Sequence, residues 1–307
     1  MKKVGIITLN DNNNYGNRLQ NYAVQTVLNS LGNISYNIEN YRHTNIKDKY
    51  FLRRLKFFNF DRHYSNNSKR KENFVRFNKN IKYEHKLFNV FSKYSQYDYM
   101  LVGSDQVWHP TFGLTDATLL TSIPSQKRIA YSASFGVSTI DDVVAENIRD
   151  EMKKFKAISV RETSGADIVE RITGKRPDVL VDPTLMLNRE MWNKLEINPT
   201  ISDEKYIFVY FLGGNNEKVI ELSNKWNLKV YDVLDAKQEK IYSSGPAEFL
   251  YLLDHSELVL TDSFHACVFS FLFNKPFLVF DRIGGASMST RIEELLSKFH
   301  LERKYAK

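Results

Sequence analysis

One cysteine, thirteen glycines and seven prolines are all that 307 residues hold of the types that staple or break a chain. The lone Cys267 excludes an intrachain disulfide framework and fits a reducing, cytoplasmic setting. Scarce glycine and proline, beside seventeen tyrosines and twenty-one phenylalanines, leave little room for disorder. No apolar run approaches the roughly 18–20 residues that cross a bilayer. The opening Met1-Lys2-Lys3-Val4-Gly5-Ile6-Ile7 gives way to Asn10-Asp11 too soon for a secretion signal and reads as a first strand. There is no Cys-x-x-Cys and no paired-histidine motif, so no metal is expected. Neither a Walker-type Gly-Lys-Thr loop nor a Rossmann glycine triplet is present, which disfavours nucleoside triphosphates and NAD.

What is there suits two α/β domains, since 42% apolar content over this length fills one large core or two ordinary ones. The net charge of +7 is unevenly spread: Arg42 to Lys86 carries fourteen Lys/Arg against four acids. Tyr50, Phe51, Phe57, Phe58, Phe60, Phe74 and Phe77 punctuate this basic excursion, residues 42–86. Such a segment can grip an anionic membrane surface or nucleic acid. It is equally a helical excursion whose aromatics pack back onto the domain.

Val4 to Leu9 reads as a buried strand, followed by an amide-rich loop and a helix marked by Leu19, Tyr22, Ala23, Val27, Leu28 and Leu31 that Gly32 closes. Further strands are expected at Tyr99–Gly103, Ile129–Phe135, Ala157–Val160 and Asp178–Val181. The polar stretch from Asn188 to Lys205 reads as a linker. Strands at 206–211, 229–233, 258–260 and 276–280 then alternate with helices at 217–226, 246–253, 264–273 and 291–299. The expectation is an α/β fold of two Rossmann-like, doubly wound domains facing across a cleft, residues 1–190 and 205–307.

In such folds ligands sit beyond the carboxyl ends of strands. The sharpest local signal is Thr261-Asp262-Ser263-Phe264-His265, where an apolar strand runs into a polar turn and a helix starts at once. Thr261, Asp262 and Ser263 suit an N-cap, and the helix start is a ready anion seat. His265 lies in its first turn, able to donate to a phosphate or act as a general acid. Arg161 follows one strand and Arg291 opens the final helix, where a guanidinium suits a carboxylate or phosphate. In the first loop Asn17, Gln20 and Asn21 resemble a sugar-binding edge, and Tyr15 can stack on a sugar face. Asp105, with Ser104, can orient an acceptor hydroxyl. Asp182, before a proline, reads as a structural turn residue, and Cys267 as packing.

Several stretches together resemble the polysaccharide pyruvyl transferases. They are Tyr15-Gly16-Asn17-Arg18-Leu19-Gln20-Asn21-Tyr22-Ala23, Val102-Gly103-Ser104-Asp105-Gln106-Val107-Trp108 and Tyr131-Ser132-Ala133-Ser134-Phe135-Gly136. Ser159-Val160-Arg161-Glu162, Asp182-Pro183-Thr184-Leu185, Thr261-Asp262-Ser263-Phe264-His265, Lys275-Pro276-Phe277 and Arg291-Ile292 follow in family order. The resemblance implies a fold like the GT-B glycosyltransferases. It also implies transfer of the enolpyruvyl unit of phosphoenolpyruvate to a sugar of a cell-surface polysaccharide precursor, giving a pyruvate ketal. Phosphoenolpyruvate is then a co-substrate and no cofactor is needed. On this reading the first domain binds the acceptor and the second the donor. His265 is the acid; Arg161, Arg291, Thr261, Ser263 and Phe264 hold the donor; Tyr15, Asn17, Gln20, Asn21, Ser104 and Asp105 face the acceptor. The acceptor can be lipid-linked, with the 42–86 excursion against the inner membrane face, and no nucleic-acid partner is expected. This chain departs from the family in having Ser263-Phe264-His265 where some members carry Arg-Leu-His, Ala266 for a glycine and Cys267 for a threonine. It also ends soon after Arg291–Leu301, sooner than many relatives.

Two other readings compete. A nucleotide-sugar glycosyltransferase of the same fold needs an acid to grip ribose, for which Glu248 is the candidate. A non-catalytic anion- or membrane-binding protein rests on the basic excursion and leaves His265 and Arg161 unexplained.

Overall fold

The computed structural model describes residues 1–11, 13–38, 67–84, 96–214, 217–283 and 289–304. The first sheet takes its strands from β1 (Lys3–Ile7), β2 (Ile34–Ile38), β3 (Tyr83–Glu84), β4 (Tyr99–Val102), β5 (Arg128–Ala133), β6 (Ala157–Val160) and β7 (Asp178–Val179). Every pairing is parallel, in the order β3-β2-β1-β4-β5-β6-β7. The second is also parallel, β11-β10-β8-β9, built from β8 (Tyr206–Tyr210), β9 (Lys229–Asp232), β10 (Leu258–Thr261) and β11 (Phe277–Val279). Both orders reverse direction, at β1/β4 and at β8/β10, which is where doubly wound sheets bind ligands.

The described helices are α1 (Tyr15–Ser30), α2 (Ser68–Asn78), α3 (Asp142–Lys153), α4 (Thr163–Thr173), α5 (Arg189–Asn193), α6 (Lys218–Trp226), α7 (Glu239–Tyr242), α8 (Pro246–Asp254), α9 (Phe264–Leu272) and α10 (Ser289–Lys298). α1 shows how local chemistry sets the boundaries. The Asn14 side chain accepts the Asn17 N–H at the start, and Gly32, at φ 77°, provides the left-handed stop. It begins four residues before the first apolar position that marks it in the sequence.

The largest apolar cluster belongs to neither domain alone. Tyr15, Leu19 and Ala23 of α1 and Phe74 and Phe77 of α2 pack with Phe208, Phe249 and Phe269 from the second half. The interface is therefore a shared core, and a large apolar interface resists the hinge motion that is otherwise the default between domains. Trp192 of α5 is wholly buried in the same cluster, edge-on to Phe269, with its indole N–H donated to Thr184 O. Within the stretch read as a linker from Asn188 onward, this apolar anchor and the Asn188 cap turn polar sequence into a packed helix, Arg189–Asn193.

The expected basic excursion falls partly outside the described residues, namely 42–66 and 85–86. In its described part Phe74 and Phe77 are buried, so those aromatics pack back as a helical excursion would. Arg70, 1% exposed, lies over the Tyr15 ring and donates from Nη1 to Tyr242 O at 2.8 Å and Val233 O at 3.3 Å. Asn73 donates to Ser243 O, and Arg76 pairs with Glu248. α2 thus straps the first half to the second. Among the described residues no helix is long and apolar enough to cross a membrane.

Candidate active site

Residues that follow β4, β6 and β7 of the first sheet and β10 of the second converge on a polar cluster at the interface. β6 delivers Arg161, whose side chain is 3% exposed. Its Nη1 donates to Asp182 Oδ2 at 2.7 Å, Nη2 lies 3.7 Å from Asp105 Oδ1, and Nε lies 3.9 Å from Glu162 Oε2. The guanidinium covers the Phe264 ring at 4.5 Å. Only the first contact is a hydrogen bond; Nε and Nη2 have no hydrogen-bond partner. A cation this deep persists because three carboxylates surround it. Burial works against its charge, and Asp182, Asp105 and Glu162 outweigh burial, leaving Arg161 above its ordinary pKa.

Asp182 divides its two oxygens. Oδ1 accepts the Thr184 N–H and hydroxyl, closing the Pro183–Met186 turn, as a structural aspartate would. Oδ2 accepts from Arg161 and from Ser104 Oγ, and lies 3.7 Å from His265 Nε2. Burial pushes this carboxyl up, but His265, Arg161 and Thr184 hold it well below the usual range. The turn reading of Asp182 was therefore half of its role. Sequence could not separate the two, because the turn explains the residue completely without the second oxygen.

His265 enters from the second half. It sits in the first turn of α9, nearly buried, with Nε2 facing Asp182 and without a hydrogen-bond partner. Its other edge lies on the backbone of Gly16 in the first turn of α1, where an added Cβ would overlap Nδ1. The glycine is needed here for close approach. Arg291 opens the interface side of α10, is buried, and is pushed down to about 9 by burial and by Arg161, so it stays charged at neutral pH.

The first-half residues meet this cluster unequally. Asp105 adopts φ 74°, a costly conformation for a non-glycine residue that directs its carboxylate into the cluster. Its Oδ2 accepts from Asn17 Nδ2 at 3.1 Å. Ser104, fully buried, serves Asp182. Tyr15 must be corrected: its ring is stacked between Phe74 and Phe249 and its hydroxyl donates to Ser244 O, so no face is open to a sugar. Gln20 and Asn21 are corrected likewise, since both are fully buried and their amides hold Thr8, Leu9 O and Asn10. Thr261 also moves from donor contact to scaffold. Its hydroxyl donates to Tyr210 O and accepts the Ser263 N–H. Asp262 clamps Leu212 N–H and Gly213 N–H, fastening the ends of β8 and β10 together. Ser263 caps α9 by position, with no side-chain bond to it.

A cavity between the halves is lined by Arg161, Glu162, Asp182, Phe264, Arg291 and Glu294, with Lys298 at one side. It measures about 330 Å3 with its open mouth, yet only about 20 Å3 admits the centre of a water molecule, so its interior is narrow. Glu162 is marked in the sequence only as part of the Ser159–Glu162 stretch, and Glu294 not at all. Glu162 Oε1 accepts the Phe135 and Gly136 N–H groups, fixing the end of β5. His109, pushed down to about 4 by burial and Arg291, accepts the Thr111 N–H at Nδ1 and is neutral at physiological pH. Cys267 is fully buried and burial pushes its thiol up, which suits packing and not chemistry.

Among the described residues one grouping brings potential metal-ligand atoms within 4.8 Å: Glu196, Asp254 and His255, outside the cavity. Asp254 is already held there by Arg189 at 2.6 Å and Asn193 at 3.0 Å. Glu248, the ribose-gripping candidate, is spent on the Gly245 N–H and Arg76.

Two parallel α/β sheets meeting at their carboxyl edges define a GT-B-like fold. A putative UDP-N-acetylglucosamine 2-epimerase from Listeria monocytogenes shares it, with a TM-score of 0.50 and 13% identity over 99% of this chain and 90% of that one. A UDP-GlcNAc 2-epimerase from Neisseria meningitidis gives 0.49 and 15%, over 99% and 94%. The first of these likenesses is of fold alone. No curated protein matches the chain. The family profile of the polysaccharide pyruvyl transferases matches residues 14–283, and the chain belongs to that family.

Proposed function

We propose that this transferase moves the enolpyruvyl unit of phosphoenolpyruvate onto a sugar diol of a polysaccharide precursor, forming a pyruvate ketal and releasing phosphate. The observation that carries this reading is Arg161. It is a buried guanidinium with two unmatched N–H positions that lines, with Arg291, a cavity between the two halves, and it shares the Asp182 carboxylate with His265. Unsatisfied buried donors of this strength call for an acceptor, and a small dianionic donor supplies one.

On this reading His265 Nε2–H gives its proton to the methylene carbon, and the neighbouring carbon becomes an oxocarbenium-like centre. One sugar hydroxyl adds there and its proton returns to the base. The C–O bond to phosphate then breaks, with Arg161 and Arg291 taking up the charge on the leaving group. The second hydroxyl closes the ring, its proton leaving with the phosphate. One diol and one phosphoenolpyruvate thus give one ketal and one hydrogen phosphate. Asp182 positions His265, and Asp105, steadied by Asn17, is assigned the acceptor hydroxyl. No cofactor enters this scheme. A lipid-linked acceptor at the cytoplasmic membrane face is the partner we assign, met by the basic residues of the 42–86 excursion other than Arg70 and Arg76, which are engaged within the fold.

The test is phosphate release from phosphoenolpyruvate with a panel of galactose, glucose, mannose and N-acetylated acceptors. Release with at least one acceptor is expected. Turnover of a nucleotide sugar, with no phosphate from any acceptor, would overturn the reading.

A further inference from the structure

We infer that the N-terminus of α4 at Thr163 is a carboxylate seat of the donor cavity, and that Glu294 occupies it as an internal stand-in when no substrate is bound. This deepens the proposed function and rests on it. The Thr163 N–H points at both oxygens of Glu294, at 2.9 and 3.1 Å, across 131 residues of chain and the domain interface. Nothing local competes for that donor. The N-cap residue of this eleven-residue helix is Glu162, which makes no side-chain cap bond because its Oε1 is turned to Phe135 and Gly136. A helix start without its own cap is an anion site by orientation of its N–H groups and its dipole.

A second observation points to a ligand in the cavity that Glu294 lines. Arg161, immediately before this helix start, is nearly fully buried, lines the cavity that Glu294 lines, and has Nε and Nη2 without hydrogen-bond partners. The cavity therefore offers the guanidinium groups of Arg161 and Arg291 in its lining, and Glu294 of the same lining reaches out to the helix N–H of Thr163. That pair fits a compact ligand with two anionic groups, a phosphate and a carboxylate. Charge leads to the same place. As it stands the cluster sets Asp105, Glu162, Asp182 and Glu294 against Arg161, Arg291, Lys298 and, when it carries the proton it donates, His265, so a further anion meets no excess of positive charge. Swinging Glu294 outward removes one negative charge, opens the narrow interior and exposes the Thr163 N–H to the substrate carboxylate.

The test compares binding of phosphoenolpyruvate and of inorganic phosphate to the wild-type chain and to Glu294→Gln, Glu294→Ala and Glu293→Gln, by titration calorimetry. With the competitor gone, phosphoenolpyruvate should bind about tenfold more tightly to both Glu294 variants, as expected when the seat is otherwise open about a tenth of the time. Inorganic phosphate, which lacks the carboxylate, should change less than about twofold, and Glu293→Gln should match wild type. Equal tightening of both ligands would reduce Glu294 to a general field effect and overturn the seat. So would unchanged or weaker phosphoenolpyruvate binding, while leaving the donor assignment standing. If the wild-type chain and all variants ignore phosphoenolpyruvate, the donor assignment falls and the seat falls with it. Glu294→Gln, close to isosteric, keeps the result readable if Glu294→Ala is poorly folded.

Discussion

Replacing Arg161 by Met keeps the stem of the side chain on Phe264 and deletes the charge, so its consequences can be worked from the contacts. Asp182 loses a charge-assisted bond of 2.7 Å, and Asp105 and Glu162 lose the cation at 3.7 and 3.9 Å. Removing one partner from a buried ionic set costs about 3–5 kcal/mol, because the opposite charges remain buried and uncompensated. The pH dependence follows with a definite sign. In the wild type, Asp182 and Asp105 are held below the ordinary carboxylate range despite burial, by His265 and Arg161 in the first and chiefly by Arg161 in the second. The stability they contribute is present above the ordinary value and lost as the pH falls below it. Without the guanidinium, Asp105 loses the largest influence that opposes burial and Asp182 loses one of several, so both carboxyls move upward and the variant takes up protons at a higher pH than the wild type does. The deficit against wild type should be widest near pH 8 and narrow towards pH 5, read as urea unfolding midpoints at both. A deficit below about 1 kcal/mol at pH 8, or one independent of pH, would refute the buried-charge reasoning.

Gly16→Ala places a methyl group into the His265 ring, so the imidazole must leave its position; phosphate release should fall by about a hundredfold or more, with the circular dichroism spectrum intact. Near-normal turnover would show that the ring position does not matter. Glu196 is raised to about 7 by burial and then by the Asp254 charge. Wild type therefore loses stability as the pH climbs from the ordinary glutamate value towards 7, and Glu196→Gln should be more stable by about 1–2 kcal/mol at pH 8 and equal to it at pH 4 in thermal melts. Arg70→Met strands the Tyr242 and Val233 carbonyls and loosens the strap between the halves, at a cost of about 2–4 kcal/mol in the unfolding midpoint.

Much of the fold was legible because parallel strands covered on both faces read as apolar runs. β6 and α9 lie where periodicity and polar turns set them, and both sheets are parallel as the strand–helix alternation implied. β2 was not legible, and α2 was legible only as one of two readings of the basic run. Ile34–Ile38 is short and alternates with polar residues, and α2 lies inside a basic run whose burial depends on Tyr15 and Tyr242, far away in the chain. At the site, Arg161, Arg291, His265 and Asp105 come together because each stands at a strand end or helix start, the rule that picked them out. Tyr15 and Thr261 also stand at a helix start and a strand end, and Gln20 and Asn21 drew notice through amide chemistry, yet all four side chains turn into the fold, which neither position nor residue type reveals. Glu162 and Glu294 needed the fold. Their partners are backbone N–H groups, which have no signature in sequence.

The most direct measurement follows the methylene carbon. With phosphoenolpyruvate and an active acceptor in D2O, proton and carbon NMR of the product should show a ketal methyl group carrying one deuterium, with one phosphate released per ketal formed. A product that keeps its methylene group as an enol ether, or a methyl group without solvent deuterium, would contradict protonation and ketal closure as the chemistry of this cleft.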